Sequence, residues 1–157
     1  MTTLVIIGAG GHGRVVADCA QQLGTYQNVV FLDDCFNKST TSGHWEIVGK
    51  VNDFQKYLSH SDFIIAFGNN QLRAKTYKIL HKANANIITL IHPSATVSPR
   101  SLIGKGVMIC ANSVINIGAK IADGCIINTS ATVDHDCILG PYIHVSPGVN
   151  IAWWCKY

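Results

Sequence analysis

The spacing of hydrophobic and polar positions changes near residue 90. Before that point, short apolar runs of strand type alternate with stretches in which apolar residues recur at helical spacing. The strand-like runs are Leu4–Ile7, Val29–Leu32, Asp62–Phe67 and Asn86–Leu90, and helical spacing covers His12–Leu23 and Leu72–Ala83. Gly24 is typical of a helix end. Residues 1–90 are therefore predicted to form an α/β, Rossmann-like domain with parallel strands.

From residue 91 onward a branched aliphatic side chain returns at every sixth position. These residues are Ile91, Val97, Ile103, Ile109, Ile115, Ile121, Ile127, Val133, Leu139, Val145 and Ile151. A second column, mostly of small residues, follows each aliphatic by four positions: Ala95, Ser101, Val107, Ser113, Ala119, Cys125, Ala131, Cys137, Ile143, Val149 and Cys155. Neither a helix nor simple alternation keeps this period, so residues 91–157 are predicted to form a triangular solenoid of parallel strands. Three hexads make one coil, the aliphatics fill its interior, and the small residues permit the corners.

Composition narrows the function classes. The 157 residues leave room for two small units, and 48% hydrophobic with 13% charged residues indicates a folded chain. A net charge of +3, with Lys and Arg scattered singly, argues against nucleic acid as a partner. The amino terminus lacks the features of a signal peptide or a membrane span, so we expect a cytoplasmic protein. Six cysteines without a CxxC pair predict free thiols and no metal site, and Cys125, Cys137 and Cys155, which stand in the small column, are predicted to be packing residues.

A glycine-rich loop separates the first predicted strand from the first helix. Gly8 to Gly13 fit the pattern GxGxxG, whose backbone N–H groups approach phosphates. Asp33 or Asp34 stands where such folds place a residue that binds ribose, and Gly68, Asn69 and Asn70 close the third strand. NAD fits the loop equally well, but some 90 residues supply only half of a dinucleotide fold. A dinucleotide oxidoreductase and, for the two asparagines, a plain turn stay open as alternatives.

Five motifs in order resemble one family. They are Gly8-Ala9-Gly10-Gly11-His12-Gly13, Phe31-Leu32-Asp33-Asp34, Ile65-Ala66-Phe67-Gly68-Asn69-Asn70, Ile91-His92-Pro93-Ser94-Ala95 and Val133-Asp134-His135-Asp136-Cys137. Together with the hexads they resemble the PglD/NeuD-type bacterial sugar acetyltransferases of the hexapeptide-repeat superfamily, over residues 4 to about 152. The resemblance implies a left-handed parallel β-helix, acetyl-CoA as co-substrate between the subunits of a homotrimer, and a UDP-linked amino sugar or a sialic acid in the front domain.

The resemblance also implies roles for individual residues. His135 matches the general base, a task that suits an imidazole near neutral pH, and Asp136 matches its orienting carboxylate. His144 and Gly148 match the acetyl-CoA-binding region. Substrate binding falls to the glycine loop with its histidine and to the ends of the second and third strands: Gly10, Gly11, His12, Asp33, Asp34, Gly68, Asn69 and Asn70. Without the resemblance, His135 reads as an outward-facing coil residue.

The chain departs from the family at its end. Relatives continue for several more coils, whereas this β-helix holds about three and a half, and Trp153 stands where relatives carry a glycine whose N–H is expected to serve the oxyanion. We therefore expect an incomplete, truncated β-helix. The leading hypothesis is acetyl-CoA-dependent N-acetylation of a UDP-4-amino sugar. The alternatives are O-acetylation of sialic acid, or a truncated, catalytically impaired remnant that binds a sugar nucleotide.

Overall fold

A computed structural model describes residues 3–37 and 40–157. The chain divides into two compact units, Met1–Ile88 and Thr89–Tyr157. This division lies two residues before the boundary predicted after residue 90, because Leu90 already belongs to the first strand of the second unit.

The first unit is built around a six-stranded sheet. Its elements are β1 (Thr3–Ile7), α1 (Gly11–Leu23), β2 (Asn28–Leu32), β3 (Thr41–Ser42), β4 (Trp45–Gly49), a 3₁₀ helix (Val51–Tyr57), β5 (Ser61–Ile65), α2 (Asn70–Lys82) and β6 (Asn86–Ile87). The strand order is β3-β4-β2-β1-β5-β6. All neighbours run parallel except β3, which pairs antiparallel with β4 at the edge. Parallel order brings the carboxyl ends of β2, β1 and β5 to the same edge.

The predicted alternation of strands and helices in this unit is confirmed, with differences after β2 and at the end of the unit. Gly24 ends α1 in the left-handed conformation at φ +66°, as expected of a helix-terminating glycine. The sequence did not reveal β3, β4 or the 3₁₀ helix. The strand expected over Asn86–Leu90 is wrong as one element, because Asn86–Ile87 pairs with β5 while Leu90–Ile91 pairs inside the second unit. Within residues 3–37 and 40–157, no helix combines the length and the apolar character that a bilayer crossing needs.

The second unit is a three-sided solenoid of two-residue strands. In chain order these are β7 (Leu90–Ile91), β8 (Thr96–Val97), β9 (Leu102–Ile103), β10 (Met108–Ile109), β11 (Val114–Ile115), β12 (Lys120–Ile121), β13 (Ile126–Ile127), β14 (Thr132–Val133), β15 (Ile138–Leu139), β16 (His144–Val145) and β17 (Asn150–Ile151). The three parallel sheets have the orders β16-β13-β10-β7, β17-β14-β11-β8 and β15-β12-β9. Paired residues are 18 positions apart, for example Ile109 and Ile127. This register confirms three hexads per coil.

The aliphatic column fills the solenoid as predicted, except at its first coil. Ile109 and the later members are buried, and Val97 and Ile103 are half-buried. Ile91 is wrong as an interior residue: it is 36% exposed because its strand, β7, is the edge of its sheet. In the second column Val149 is likewise 41% exposed, on the last coil. All six cysteines are free thiols, and Cys125 and Cys137 are buried in the core of the solenoid, which confirms their packing role.

The corners of the solenoid contain a third six-residue column that the sequence did not reveal. Its members all have a positive φ: Gly106, Asn112, Gly118, Gly124, Ser130, Asp136, Tyr142, Gly148 and Trp154. Each precedes a residue of the second column by one position, so the chain turns at one left-handed residue that is followed by a residue of that column. Because one coil is 18 residues long, Gly118, Asp136 and Trp154 occupy equivalent corner positions in successive coils.

Candidate active site

His135 and Asp136 form a hydrogen-bonded pair at a corner of the solenoid. They lie in the turn between β14 and β15, where the left-handed conformation of Asp136 (φ +59°) directs its carboxylate beside the imidazole. His135 Nδ1 lies 2.9 Å from Asp136 Oδ2, and the side chains are 44% and 59% exposed. Because a carboxylate only accepts hydrogen bonds, Nδ1 donates, which leaves Nε2 of the neutral ring as the basic nitrogen. The structure thus brings the two predicted catalytic residues together.

Asp134 holds the same turn from the other side. Its Oδ1 accepts hydrogen bonds from the His135 backbone N–H and from Asn116 Nδ2, both at 2.8 Å, and these bonds lower the pKa of Asp134. The hydrogen bond to Asp136 raises the pKa of His135 above its usual value, and the negative charges of Asp134 and Asp136 add to this effect. The imidazole is therefore a stronger base than an isolated histidine. Sequence reasoning missed Asp134 and Asn116 as contributors.

Trp153 lies against the imidazole. The ring centroids of His135 and Trp153 are 6.4 Å apart with an interplanar angle of 7°, an offset stack. The sequence identified Trp153 only as the residue that replaces a family glycine. The structure adds that its indole lies nearly parallel to the imidazole, while both side chains keep much of their surface in solvent.

His144 lies on a different side of the solenoid from the pair. It is the first residue of β16, and its Nε2 is 3.0 Å from Asn128 Nδ2. The Oδ1 of Asn128 accepts from the Thr129 N–H at 2.8 Å, which orients the amide so that its nitrogen donates to His144. Gly148, an exposed corner residue, donates its N–H to Thr129 O at 3.0 Å. Asn128 therefore contacts both His144 and Thr129, the residue whose carbonyl binds Gly148. The sequence did not single out Asn128.

Of the four glycines in the glycine loop of the first unit, two have no space for a side chain and two do. A Cβ at Gly13 would overlap the carbonyl oxygen of Gly8, and a Cβ at Gly8 would lie 2.9 Å from the Phe67 ring. By contrast, nothing lies within 4 Å of a Cβ built on Gly10 or Gly11. Gly10 caps the amino end of α1, both residues are exposed, and the amino end of a helix favours an anion. His12, half-buried, lies in the first turn of the same helix.

The two aspartates after β2 already bind backbone groups. Asp33 accepts from Ala9 N at 2.7 Å through Oδ2 and from Cys35 N at 2.8 Å through Oδ1. Burial alone would raise the pKa of Asp33, but these hydrogen bonds outweigh it and lower the pKa. Asp34 Oδ1 accepts from Val51 N at 3.1 Å. Asp33 therefore ties the glycine loop to the end of β2, a role that the sequence did not indicate.

The asparagines after β5 organise the start of α2. Asn69 caps the helix, its Oδ1 accepting from Leu72 N at 2.9 Å, and Asn70 Oδ1 accepts from Arg73 Nη2 at 2.8 Å. Arg73 is fully buried and also donates through Nη1 to Phe67 O at 2.8 Å and to Gly68 O at 3.2 Å. The turn after β5 is thus held from inside by an arginine that sequence reasoning missed. The exposed residues of this turn, Gly68 and Asn69, form a rim at the same sheet edge as the glycine loop.

Two further features bear on where a ligand binds. A cleft of about 550 Å³ lies at the amino ends of β2 and β4, beside Tyr26 and Trp45. It contains none of the residues predicted to bind substrate, which lie at the opposite, carboxyl edge of the sheet. Across residues 3–37 and 40–157, no group of three or more His, Cys, Asp or Glu side chains has a geometry that would hold a metal ion.

Comparison with known proteins identifies relatives for both units. A family model of the PglD N-terminal domain matches residues 3–80. UDP-N-acetylbacillosamine N-acetyltransferase of Bacillus subtilis (strain 168) is 34% identical over 113 residues, which cover 71% of this chain and 52% of the relative. The match thus spans about half the length of that curated relative.

Solved structures match over nearly the whole chain. The acetyltransferase domain of PglB from Neisseria gonorrhoeae FA1090, in complex with acetyl coenzyme A, is 41% identical with a TM-score of 0.91, covering 96% of this chain and 73% of that one. PerB from Caulobacter crescentus, in complex with CoA and GDP-perosamine, is 34% identical with a TM-score of 0.84, covering 92% and 69%. With identities above 30% and coverage of more than two thirds of these proteins, this chain belongs to the PglD-type sugar acetyltransferases.

Proposed function

We propose that this protein transfers the acetyl group of acetyl-CoA to the amino group of a nucleotide-linked sugar, with His135 as the general base. The observation that carries the proposal is the hydrogen bond between His135 Nδ1 and Asp136 Oδ2, 2.9 Å long on an exposed corner. This bond fixes the tautomer, leaves Nε2 basic and raises the pKa of the ring. The names of the relatives support the acetyl donor and the amino acceptor.

The chemistry follows from the state of Nε2. As the sugar amine attacks the thioester carbonyl carbon, a C–N bond forms and Nε2 takes a proton from the nitrogen. The C–S bond then breaks, the electron pair leaves with sulfur, and the imidazolium returns the proton to the CoA thiolate. The carboxylates of Asp134 and Asp136 stabilise the imidazolium between these two transfers.

We further propose that the first unit is a Rossmann-like domain that binds the nucleotide at its carboxyl edge. The N–H groups of Gly10 and Gly11 suit a diphosphate, and the rim formed by Gly68 and Asn69 borders the same edge. We favour UDP because the Bacillus subtilis relative is named for a UDP-linked sugar, whereas the PerB complex holds a GDP-linked one. The second unit is proposed to be a left-handed β-helix that binds acetyl-CoA near His144 and Gly148 in a homotrimer.

Product analysis tests this proposal. The full chain is incubated with acetyl-CoA and, separately, a UDP-4-amino sugar, a GDP-4-amino sugar or a sialic acid, and acetylated products are identified by mass spectrometry. We expect N-acetylation of the UDP-linked sugar and its loss in His135→Asn. Turnover of only the GDP-linked sugar would show that the nucleotide is GDP. An O-acetylated sialic acid would show that the acceptor is a sialic acid hydroxyl. Calorimetric binding of the UDP-sugar without any product would support a binding-only protein instead.

A further inference from the structure

The pair His135–Asp136 is stacked on one short segment of the preceding coil. Because paired residues are 18 positions apart, Asn116, Ile117 and Gly118 lie beneath Asp134, His135 and Asp136 respectively. The register of the adjoining strands, in which Ile115 pairs with Val133, leads directly into this alignment. We call Asn116–Gly118 the seat of the pair.

Each residue of the seat contacts the turn above it in a different way. Asn116 Nδ2 donates to Asp134 Oδ1 at 2.8 Å, and the same oxygen accepts from the His135 N–H. The carbonyl of Ile117 accepts from the Asp136 N–H at 3.2 Å, which fixes the backbone of the residue whose φ is positive. Gly118 makes room: a Cβ at this position would overlap Asp136 Oδ1 and lie 3.3 Å from its Cγ.

We propose that this seat positions the catalytic pair, and that Gly118 is a positioning residue whose missing side chain lets the Asp136 carboxylate reach His135 Nδ1. The kinetic consequence rests on the proposed function, but the geometric claim does not. An added methyl group at residue 118 collides with the carboxylate itself. Asp136 is exposed, so its side chain can rotate into solvent at little cost, and that rotation breaks its hydrogen bond to His135.

Glycine is not required at this corner by backbone conformation alone. Other members of the corner column, Ser130, Asp136 and Tyr142, also have a positive φ, so an alanine at residue 118 suffers a strain that this fold accepts elsewhere. Gly148 provides the matched control, since its φ is +69° against +75° for Gly118 and nothing lies within 4 Å of its added Cβ. A difference between the two alanine variants therefore reports the contact with Asp136.

The test is an NMR titration of the His135 ring in the full chain. The charged groups that act on this ring are Asp134 and Asp136. We expect Gly118→Ala to lower the pKa of His135 toward its ordinary value, Gly148→Ala to leave it unchanged, and Gly118→Ala to cause no further fall in an Asp136→Asn background. An unchanged titration in Gly118→Ala, or equal falls in both alanine variants, overturns the proposal.

Kinetics separate this inference from the proposed reaction. In Gly118→Ala we expect kcat to fall roughly 10- to 100-fold, as for loss of a partner that orients a functional histidine, with KM for acetyl-CoA unchanged. If Gly118→Ala shifts the His135 titration but the protein acetylates none of the sugars, the positioning role of the seat is supported and the proposed reaction is rejected. If Gly118→Ala does not fold, Asn116→Ala tests the same seat: faster amide exchange at His135 supports it, and unchanged exchange rejects it.

Discussion

Replacing the buried Arg73 with methionine should destabilise the first unit by about 3 kcal/mol. The guanidinium is fully buried and donates two short hydrogen bonds, to Phe67 O and Asn70 Oδ1, and one longer bond to Gly68 O. Hydrogen bonds from charged donors contribute about 1.5 to 3 kcal/mol each. The two short bonds, counted at the lower figure, give about 3 kcal/mol. The lower figure applies because Gly68 and Asn70 are exposed, so water can replace the donor that they lose. Methionine is flexible enough to fill most of the vacated space, so the cavity contribution is small.

Urea denaturation followed by far-UV circular dichroism measures this effect. Both α-helices of the described residues lie in the first unit, so the helical signal follows its unfolding. Lys78→Met on the exposed side of α2 is the matched control, since it removes the same charge and should change stability by no more than about 0.5 kcal/mol. Arg73→Lys should recover only part of the loss, because one ammonium group cannot replace the planar fork. Equal stabilities of Arg73→Met and Lys78→Met would show that the interior hydrogen bonds contribute nothing.

Three further predictions concern the core, the glycine loop and the pH dependence. Ile127→Ala, at a fully buried position of the solenoid, should cost about 2 to 5 kcal/mol in thermal or chemical unfolding of the second unit, and a smaller loss would argue against a packed interior. Asp33→Asn weakens the bond to Ala9 N and should reduce nucleotide-sugar affinity in calorimetry about ten-fold, whereas unchanged affinity would separate the loop from binding. Because a general base must be unprotonated and the pKa of His135 is raised, kcat/KM should still be rising with pH above about 6.5. Asp136→Asn should move that rise to lower pH, and an unmoved profile would mean that Asp136 does not tune the base.

The solenoid was predictable because its main signal repeats. Aliphatics at every sixth position over successive coils leave few alternatives, and the parallel register reproduces the period. The corner column from Gly106 to Trp154 escaped notice because its members share a backbone conformation and not a residue type. A positive φ is expected of glycine or asparagine, but tyrosine and tryptophan adopt it here because coil stacking dictates the turn.

The candidate sites were predictable in outline and not in their supporting contacts. His135 and Asp136 are sequence neighbours, so their pairing needs only the right turn. The contacts from Asn116 to Asp134 and from Asp33 to Ala9 join residues distant in sequence and depend on the finished fold. The complete burial of Arg73 was also unforeseeable, since arginine is normally exposed and its acceptors come together only in the folded turn between β5 and α2.

The proposed reaction depends on Nε2 of His135, which removes the proton from the sugar amine during acetyl transfer. The most direct test compares kcat/KM of the wild type with that of His135→Asn, using acetyl-CoA and a UDP-4-amino sugar, with acetyl-CoA affinity measured alongside. Asparagine keeps a polar side chain of similar length but accepts no proton, so we expect a loss of about 100-fold or more with little change in acetyl-CoA affinity. A His135→Asn variant that acetylates the sugar at the wild-type rate would contradict the account.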